Sequence, residues 1–135
     1  SRRADDRAVL ERQARERYER LLGVFMEGDL DGAREGFLAF LMKFPNSTRA
    51  PNAQYWLGEC YYGKKQYQEA IRAFERVVVK YPDSNKAPAA LLKKGYAQLA
   101  LNKHQQAKAT LQDVVKSYPQ SPEAQKASDR LSHLK

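Results

Sequence analysis

The chain has 135 residues, 42% apolar and 30% charged, with a formal net charge of +8, one cysteine, seven glycines and six prolines. That composition suits the single core of a usual ~100–150-residue domain and excludes collagen-like and low-complexity chains, disulfide scaffolds and any Cys-based zinc site within one chain. The longest apolar runs, Leu21–Met26 and Phe37–Met42, fall far short of the roughly 18–20 residues of a membrane helix, so no direct membrane insertion is expected.

Residues 2–20 open the chain with seven Arg and five acidic groups around sparse Ala8, Val9, Ala14 and Tyr18. Two readings stay open for this stretch: a polar helix running upstream into a coiled coil, or an extension of the first repeat helix. Residues 1–13 are set apart as an Arg-rich helical extension or linker. A start at Ser1 without a signal-peptide pattern fits a processed or trimmed fragment.

From there the chain repeats. Phe44-Pro45-Asn46-Ser47 returns as Tyr81-Pro82-Asp83-Ser84 and again as Tyr118-Pro119-Gln120-Ser121, each 37 positions on. Ala50-Pro51 matches Ala87-Pro88, Gly58 matches Gly95, Ala70 matches Ala107, and Val77-Val78 matches Val114-Val115. Shifting back by the same 37 pairs Ala33 with Ala70, Phe37 with Phe74, and Phe40-Leu41 with Val77-Val78. Copies at a fixed period of this size indicate a solenoid built from one supersecondary unit.

Each unit reads as two helices, because residues 53–62 and 67–79 both place apolar side chains at three- and four-residue spacing. Short polar segments around Gly28, Lys65 and Asn102 separate the first helix (A) from the second (B). Every B helix stops at a Tyr-Pro or Phe-Pro pair, since proline cannot continue the ladder and biases its predecessor away from helical dihedrals. Ser47, Ser84 and Ser121 are the expected N-caps of the helices that follow, with Pro51, Pro88 and Pro122 in or near the first turn. The units span about 14–44, 48–81 and 85–118, and a lone polar helix at about 121–134 covers the last apolar face. Gly58 with Ala70, and Gly95 with Ala107, fall where an A helix meets its own B helix; Phe37, Phe74 and Leu111 fill the space beside them.

Several chemistries are set aside. No phosphate-cradling loop, nucleophile elbow, Cys-x-x-Cys or His-Glu-x-x-His occurs, so no enzyme, metal or cofactor is expected. His104 and His133 lack clustered carboxylates and read as surface groups. Cys60 follows Leu57 by less than one turn and reads as a buried, inert thiol. Charge is uneven: residues 43–135 hold sixteen basic and seven acidic groups. This motivates a nucleic-acid alternative through Lys93, Lys94, Lys103 and Lys108, although a solvated lysine-rich face is the preferred explanation and no basic stripe is expected in the groove.

Leu57, Gly58, Tyr61, Tyr67, Ala70, Phe74 and Pro82 stand at the signature spacing of the tetratricopeptide repeat, which the second unit resembles closely; Gln54 stands where a Trp is common. The period is three residues longer than the usual ~34, with the excess in the Pro-x-Ser-x-x-Ala-Pro connection. This resemblance implies an all-α, right-handed α-solenoid of three tetratricopeptide helical hairpins plus a C-terminal capping helix. The string Ala50-Pro-Asn-Ala-Gln-Tyr-Trp-Leu-Gly58, the repeated Pro-x-Ser-x-x-Ala-Pro and the ending Ala127-Ser-Asp-Arg-Leu131 further resemble the C-terminal domain of the CpoB/YbgF family, the Tol-Pal-associated cell division coordinators of Gram-negative bacteria. Residues 1–17 depart from that pattern.

In tetratricopeptide stacks the A helices line the concave face. Carrying the family's ligand-facing positions onto this chain selects Tyr18, Leu22 and Phe25 in the first unit, Asn52, Tyr55, Glu59 and Tyr62 in the second, and Leu92, Tyr96 and Leu99 in the third. Packing within the stack is expected of Leu22, Leu92 and Leu99, and partner contact of Tyr55, Tyr62 and Tyr96, in a groove rich in Tyr and Leu with few charges. The carboxylate clamp of some chaperone-binding members needs Lys and Asn where Tyr55 and Glu59 stand, so that mode is not expected. The resemblance implies a periplasmic, non-enzymatic adaptor that binds TolA and influences a class A penicillin-binding protein, coupling peptidoglycan synthesis to outer-membrane constriction. It also implies a homotrimer formed through an N-terminal coiled coil outside this segment, which by itself would be monomeric. Nucleic acid is not an expected partner. An outer-membrane protein assembly scaffold of the BamD type, whose repeats share the Tyr-Pro-x-Ser connection, is the main alternative.

The interhelical role of Ala70 is open to measurement. Ala70→Leu should overpack the A–B contact and lower stability by roughly 1–3 kcal/mol, read as an earlier thermal transition by circular dichroism.

Overall fold

The computed structural model describes residues 1–134, and among them every regular element is an α-helix. The helices are α1 (Arg2–Met26), α2 (Leu30–Lys43), α3 (Ala50–Gly63), α4 (Tyr67–Lys80), α5 (Ala87–Ala100), α6 (His104–Ser117) and α7 (Pro122–Ser132). Each packs on the next in the chain, and α3 also touches α5 as α5 touches α7. The result is a helical solenoid of three tetratricopeptide hairpins, α1/α2, α3/α4 and α5/α6, closed by α7. A helices stand beside A helices and B helices lie behind them.

Three-residue turns make the hairpins, and each turns through a left-handed residue: Gly28 at φ 89°, Lys65 at 61° and Asn102 at 60°. These positions are 37 apart, so the turn itself is part of the repeat. Around Lys65 the Gln66 amide donates to the Tyr61 carbonyl (2.9 Å) and the Lys65 amide to the Tyr62 carbonyl (3.0 Å), which satisfies two helix-end carbonyls. The turns at Gly28 and Asn102 carry the equivalent bonds.

The connections between hairpins differ from the sequence reading in one respect. Ser121 does cap α7, its Oγ accepting from the Ala124 amide at 3.1 Å. Ser47 and Ser84 do not cap α3 and α5, which begin after Arg49 and Lys86 without a side-chain cap. Their hydroxyls instead accept from the amides of Arg49 (3.0 Å) and Lys86 (3.2 Å), two residues on. The physical reason is the longer connection: Thr48-Arg49 and Asn85-Lys86 separate the serine from its helix, so the hydroxyl closes a local turn. Proline follows Ser121 directly and brings helix and serine together.

The Arg-rich segment is the start of α1, which runs unbroken for 25 residues and is exposed over residues 2–10. Glu11 ties it down. Its Oε1 accepts from the Ser47 hydroxyl (2.9 Å), the Thr48 amide (3.1 Å) and the Thr48 hydroxyl (2.6 Å), with Arg49 at 3.7 Å. Burial opposes ionisation of Glu11, but these hydrogen bonds and the Arg49 charge outweigh it and hold the carboxyl below the usual range.

Core residues follow the repeat. Phe37, Phe74 and Leu111 are wholly buried, as are Phe40, Val77 and Val114 one turn later. Successive clusters share residues: Trp56 and Tyr61 belong to the first and second, Val78 to the second and third, so the apolar seam is continuous. Gln54, at the position where a tryptophan is common, is buried and donates through Nε2 to the Ala73 carbonyl at 3.1 Å.

Close approach within the hairpins rests on glycine. A Cβ on Gly58 would lie 2.5 Å from the Phe74 ring, and one on Gly95 would lie 3.0 Å from Leu111 Cδ2. The first hairpin inverts the arrangement: Leu21 stands at the Gly58 position and Gly36, facing it from α2, supplies the space. Because Phe74 is fully enclosed, Gly58→Ala should cost roughly 1–3 kcal/mol. Adding Phe74→Leu, the pairing already present as Gly95 with Leu111, should bring a double-mutant coupling of about 0.5 kcal/mol or more in denaturant melts.

Candidate partner-binding groove

The groove is built from the A helices, whose i, i+4, i+7 positions fall on one stripe. At its first-repeat end the Tyr18 hydroxyl on α1 accepts from Trp56 Nε1 (3.0 Å) and stands 3.4 Å from the donor Asn52 Nδ2, both on α3. Phe25 meets the Trp56 ring edge-on with centroids 5.0 Å apart, and Tyr55 meets the other side of the same residue at 5.4 Å. The single tryptophan thus marks the junction of the first two hairpins.

Toward the middle, Glu59 accepts two bonds. The Tyr55 hydroxyl donates to Oε2 (3.2 Å) and Lys93 Nζ, from α5, pairs with Oε1 at 3.0 Å. Burial, then the negative charge of Glu59, pushes the Tyr55 phenol far above its ordinary range and keeps it a donor. Burial also raises Tyr62, against a lowering contribution from Arg130 on α7.

Cations cover the aromatic faces. Lys93 Nζ lies 4.0 Å from the Tyr62 ring centroid and the Arg130 guanidinium 4.5 Å from that of Tyr96. Lys86 Nζ stands 5.2 Å from the Tyr55 ring and 5.5 Å from Trp56. Cations over ring faces at such distances are each worth about 0.5–2 kcal/mol, more as water is excluded.

The structure corrects part of the sequence-derived groove. Tyr55 is only 8% exposed, packed against Phe74 with centroids 5.6 Å apart, so it is a core residue and not an open anchor. Tyr18 at 8% is buried as well, because α3 closes over it; Leu92 at 4% packs within the stack against α7, the packing role read for it, and does not line the groove. Phe25, Asn52, Glu59, Tyr62, Tyr96 and Leu99 are half-buried and border the groove. Nor is the groove poor in charge, as expected from its Tyr and Leu content.

Trp56, Lys86, Lys93 and Arg130 are the groove residues that the family positions did not select. A signal existed: Trp56, Lys93 and Arg130 are 37 apart, the same row of the repeat. The four lysines considered for nucleic acid do not form one face. Lys93 turns to Glu59, Lys94 turns the other way to Glu75 on α4 (2.5 Å), Lys103 donates to Gln68 (3.2 Å), and Lys108 borders a hollow with His104 and His133. Cys60 is wholly buried, and its thiol, pushed up to about 12 chiefly by burial, stays protonated. Among the described residues no group of three or more His, Cys, Asp or Glu side chains could hold a metal ion, and no helix is long and apolar enough to cross a membrane.

Fold and groove together define a tetratricopeptide module, an architecture whose work is protein interaction. The sequence profile of YfiO, an outer membrane lipoprotein, matches residues 10–135, and the chain belongs to that family. A stretch of 51 residues, 38% of this chain, is 45% identical to the cell division coordinator CpoB of Pseudomonas putida and spans only 19% of that relative's length. Among solved structures, the second TPR domain of human RPAP3 in complex with an HSP70 peptide superposes with a TM-score of 0.74 at 20% identity, over 93% of this chain and 97% of that one. The Yersinia enterocolitica secretion chaperone SycD, in complex with a peptide of the translocator YopD, gives 0.74 at 18% identity over 89% and 87%. At such identities the likeness is one of fold.

The Tyr18–Trp56 bond offers a direct check on the junction. Tyr18→Phe removes the acceptor of the Trp56 indole N–H and should cost about 1 kcal/mol. The expected readout is a lower denaturation midpoint with unchanged helicity and a shifted Trp56 emission maximum.

Proposed function

We propose that the chain is a periplasmic adaptor that binds TolA through this groove and helps couple septal peptidoglycan synthesis to outer-membrane constriction. The observation that carries the reading is the row of half-buried aromatics, Trp56, Tyr62 and Tyr96, on the A-helix face. Such rigid amphipathic rings are the usual anchors for a partner segment. The choice of partner draws on the stretch shared with a protein described as a cell division coordinator. A class A penicillin-binding protein as second client, and trimerisation through an N-terminal coiled coil, belong to the same proposal. A second reading, an assembly scaffold for outer-membrane proteins, is favoured by the YfiO profile over residues 10–135.

Calorimetric titration with the periplasmic part of TolA separates them. Binding should occur, and the variant Tyr62→Ala/Tyr96→Ala should weaken it roughly 30-fold, the size of a lost anchor of about 2 kcal/mol, with helicity unchanged. Equal affinity in the variant removes the groove reading. No TolA binding, with capture of an outer-membrane assembly partner instead, establishes the second.

A further inference from the structure

We propose that the groove receives an acidic segment of its protein partner, and that Glu59 is a built-in competitor which occupies Lys93 until such a segment displaces it. The inference rests on the reading of the groove as a protein-binding surface and adds the chemistry of what it takes.

Three observations carry it. First, Lys86, Lys93 and Arg130, contributed by the connection before α5, by α5 and by α7, place their charged heads over the groove aromatics Trp56, Tyr62 and Tyr96. Second, among the described residues Lys86 and Arg130 pair with no carboxylate within 4.0 Å, whereas Lys93 is held by Glu59 at 3.0 Å. Third, that pair is mostly shielded, the Lys93 side chain being 23% exposed and that of Glu59 17%. A partner carboxylate that takes over Lys93 therefore meets a partly dehydrated cation, where charge-assisted hydrogen bonds are stronger than on an open surface.

Glu59 itself shows what the site accepts. Its carboxylate is ringed by a cation and by the Tyr55 hydroxyl, two donors to one acceptor group. An incoming carboxylate would find Arg130 and Lys86 open and would compete with Glu59 for Lys93. Glu123, at the start of α7, is the other carboxylate whose charge is felt at Tyr55.

A nucleic acid fits less well. Stacking of bases needs open ring faces, and here the faces of Tyr62 and Tyr96 carry Lys93 and Arg130.

Trp56, the one tryptophan of the chain, reports on this site when short Trp-free peptides of alternating Glu-Ala, Gln-Ala or Lys-Ala are titrated into the full chain. The Glu-Ala peptide should bind about tenfold more tightly than the other two. Arg130→Gln, at an exposed position of α7, should weaken it about threefold with helicity unchanged, and Glu59→Gln should tighten it about threefold by releasing Lys93. Equal binding of the three peptides, or no gain with Glu59→Gln, overturns the proposal. An oligothymidylate that binds as tightly as the Glu-Ala peptide, with the same variant response, overturns it in favour of nucleic acid. If the Gln-Ala peptide binds as well as the acidic one and loses affinity in Tyr62→Ala/Tyr96→Ala, the acidic preference falls and the groove reading stands. If that double variant keeps full affinity for TolA, both fall.

Discussion

Each hairpin is held by one large side chain entering the space that a missing Cβ leaves on the facing helix. Phe74 against Gly58 and Leu111 against Gly95 set how near the paired helices come, and Leu21 against Gly36 does the same with the partners exchanged. Interhelical distance in such packing depends on the side chains at the crossing. With that distance fixed, the left-handed residues at 28, 65 and 102 return the chain at the same angle each time, and neighbouring hairpins come into register.

Register is what makes a groove from a repeat. Residues 37 apart occupy equivalent places on α3, α5 and α7, so Trp56, Lys93 and Arg130 line up across three helices that are distant in sequence. A long side chain on one A helix then reaches the aromatic of its neighbour, as Lys93 reaches Tyr62. The same contacts that decorate the groove also tie the hairpins together, since the Glu59–Lys93 pair and the Trp56–Tyr18 hydrogen bond both cross between A helices.

Some of the basic groups behind the net charge of +8 are engaged in such crossings. Arg49 reaches Glu11, Lys64 reaches Asp31 and Lys94 reaches Glu75, each pair bridging neighbouring helices or hairpins. Exposed pairs of this kind add little stability individually, about 0–1 kcal/mol, and their effect is to spend basic residues along the back and ends of the molecule. Lys86 and Arg130 remain over the groove, in keeping with a surface for protein segments and with the family to which the chain belongs.

Periodicity and the tetratricopeptide resemblance together determined the architecture. A 37-residue repeat with helical spacing of apolar residues, interrupted by Phe-Pro and Tyr-Pro, points to stacked helical hairpins, and the Gly58–Phe74 contact was readable because close approach demands a residue without a side chain. Burial of Cys60 was legible for the same reason, its neighbours sharing one helical face. Which tyrosines stay open was decided only in three dimensions. Tyr55 and Tyr62 lie seven residues apart on one stripe of α3, yet Phe74 and Trp56 enclose the first while the second is left at the edge, where Lys93 can cover it. Exposure along a stripe depends on which side chains the facing helices place opposite each turn. The cap role of Ser47 and Ser84 turned on the two residues between each serine and its helix, and the charge within the groove on where stacking sets residues far apart in sequence.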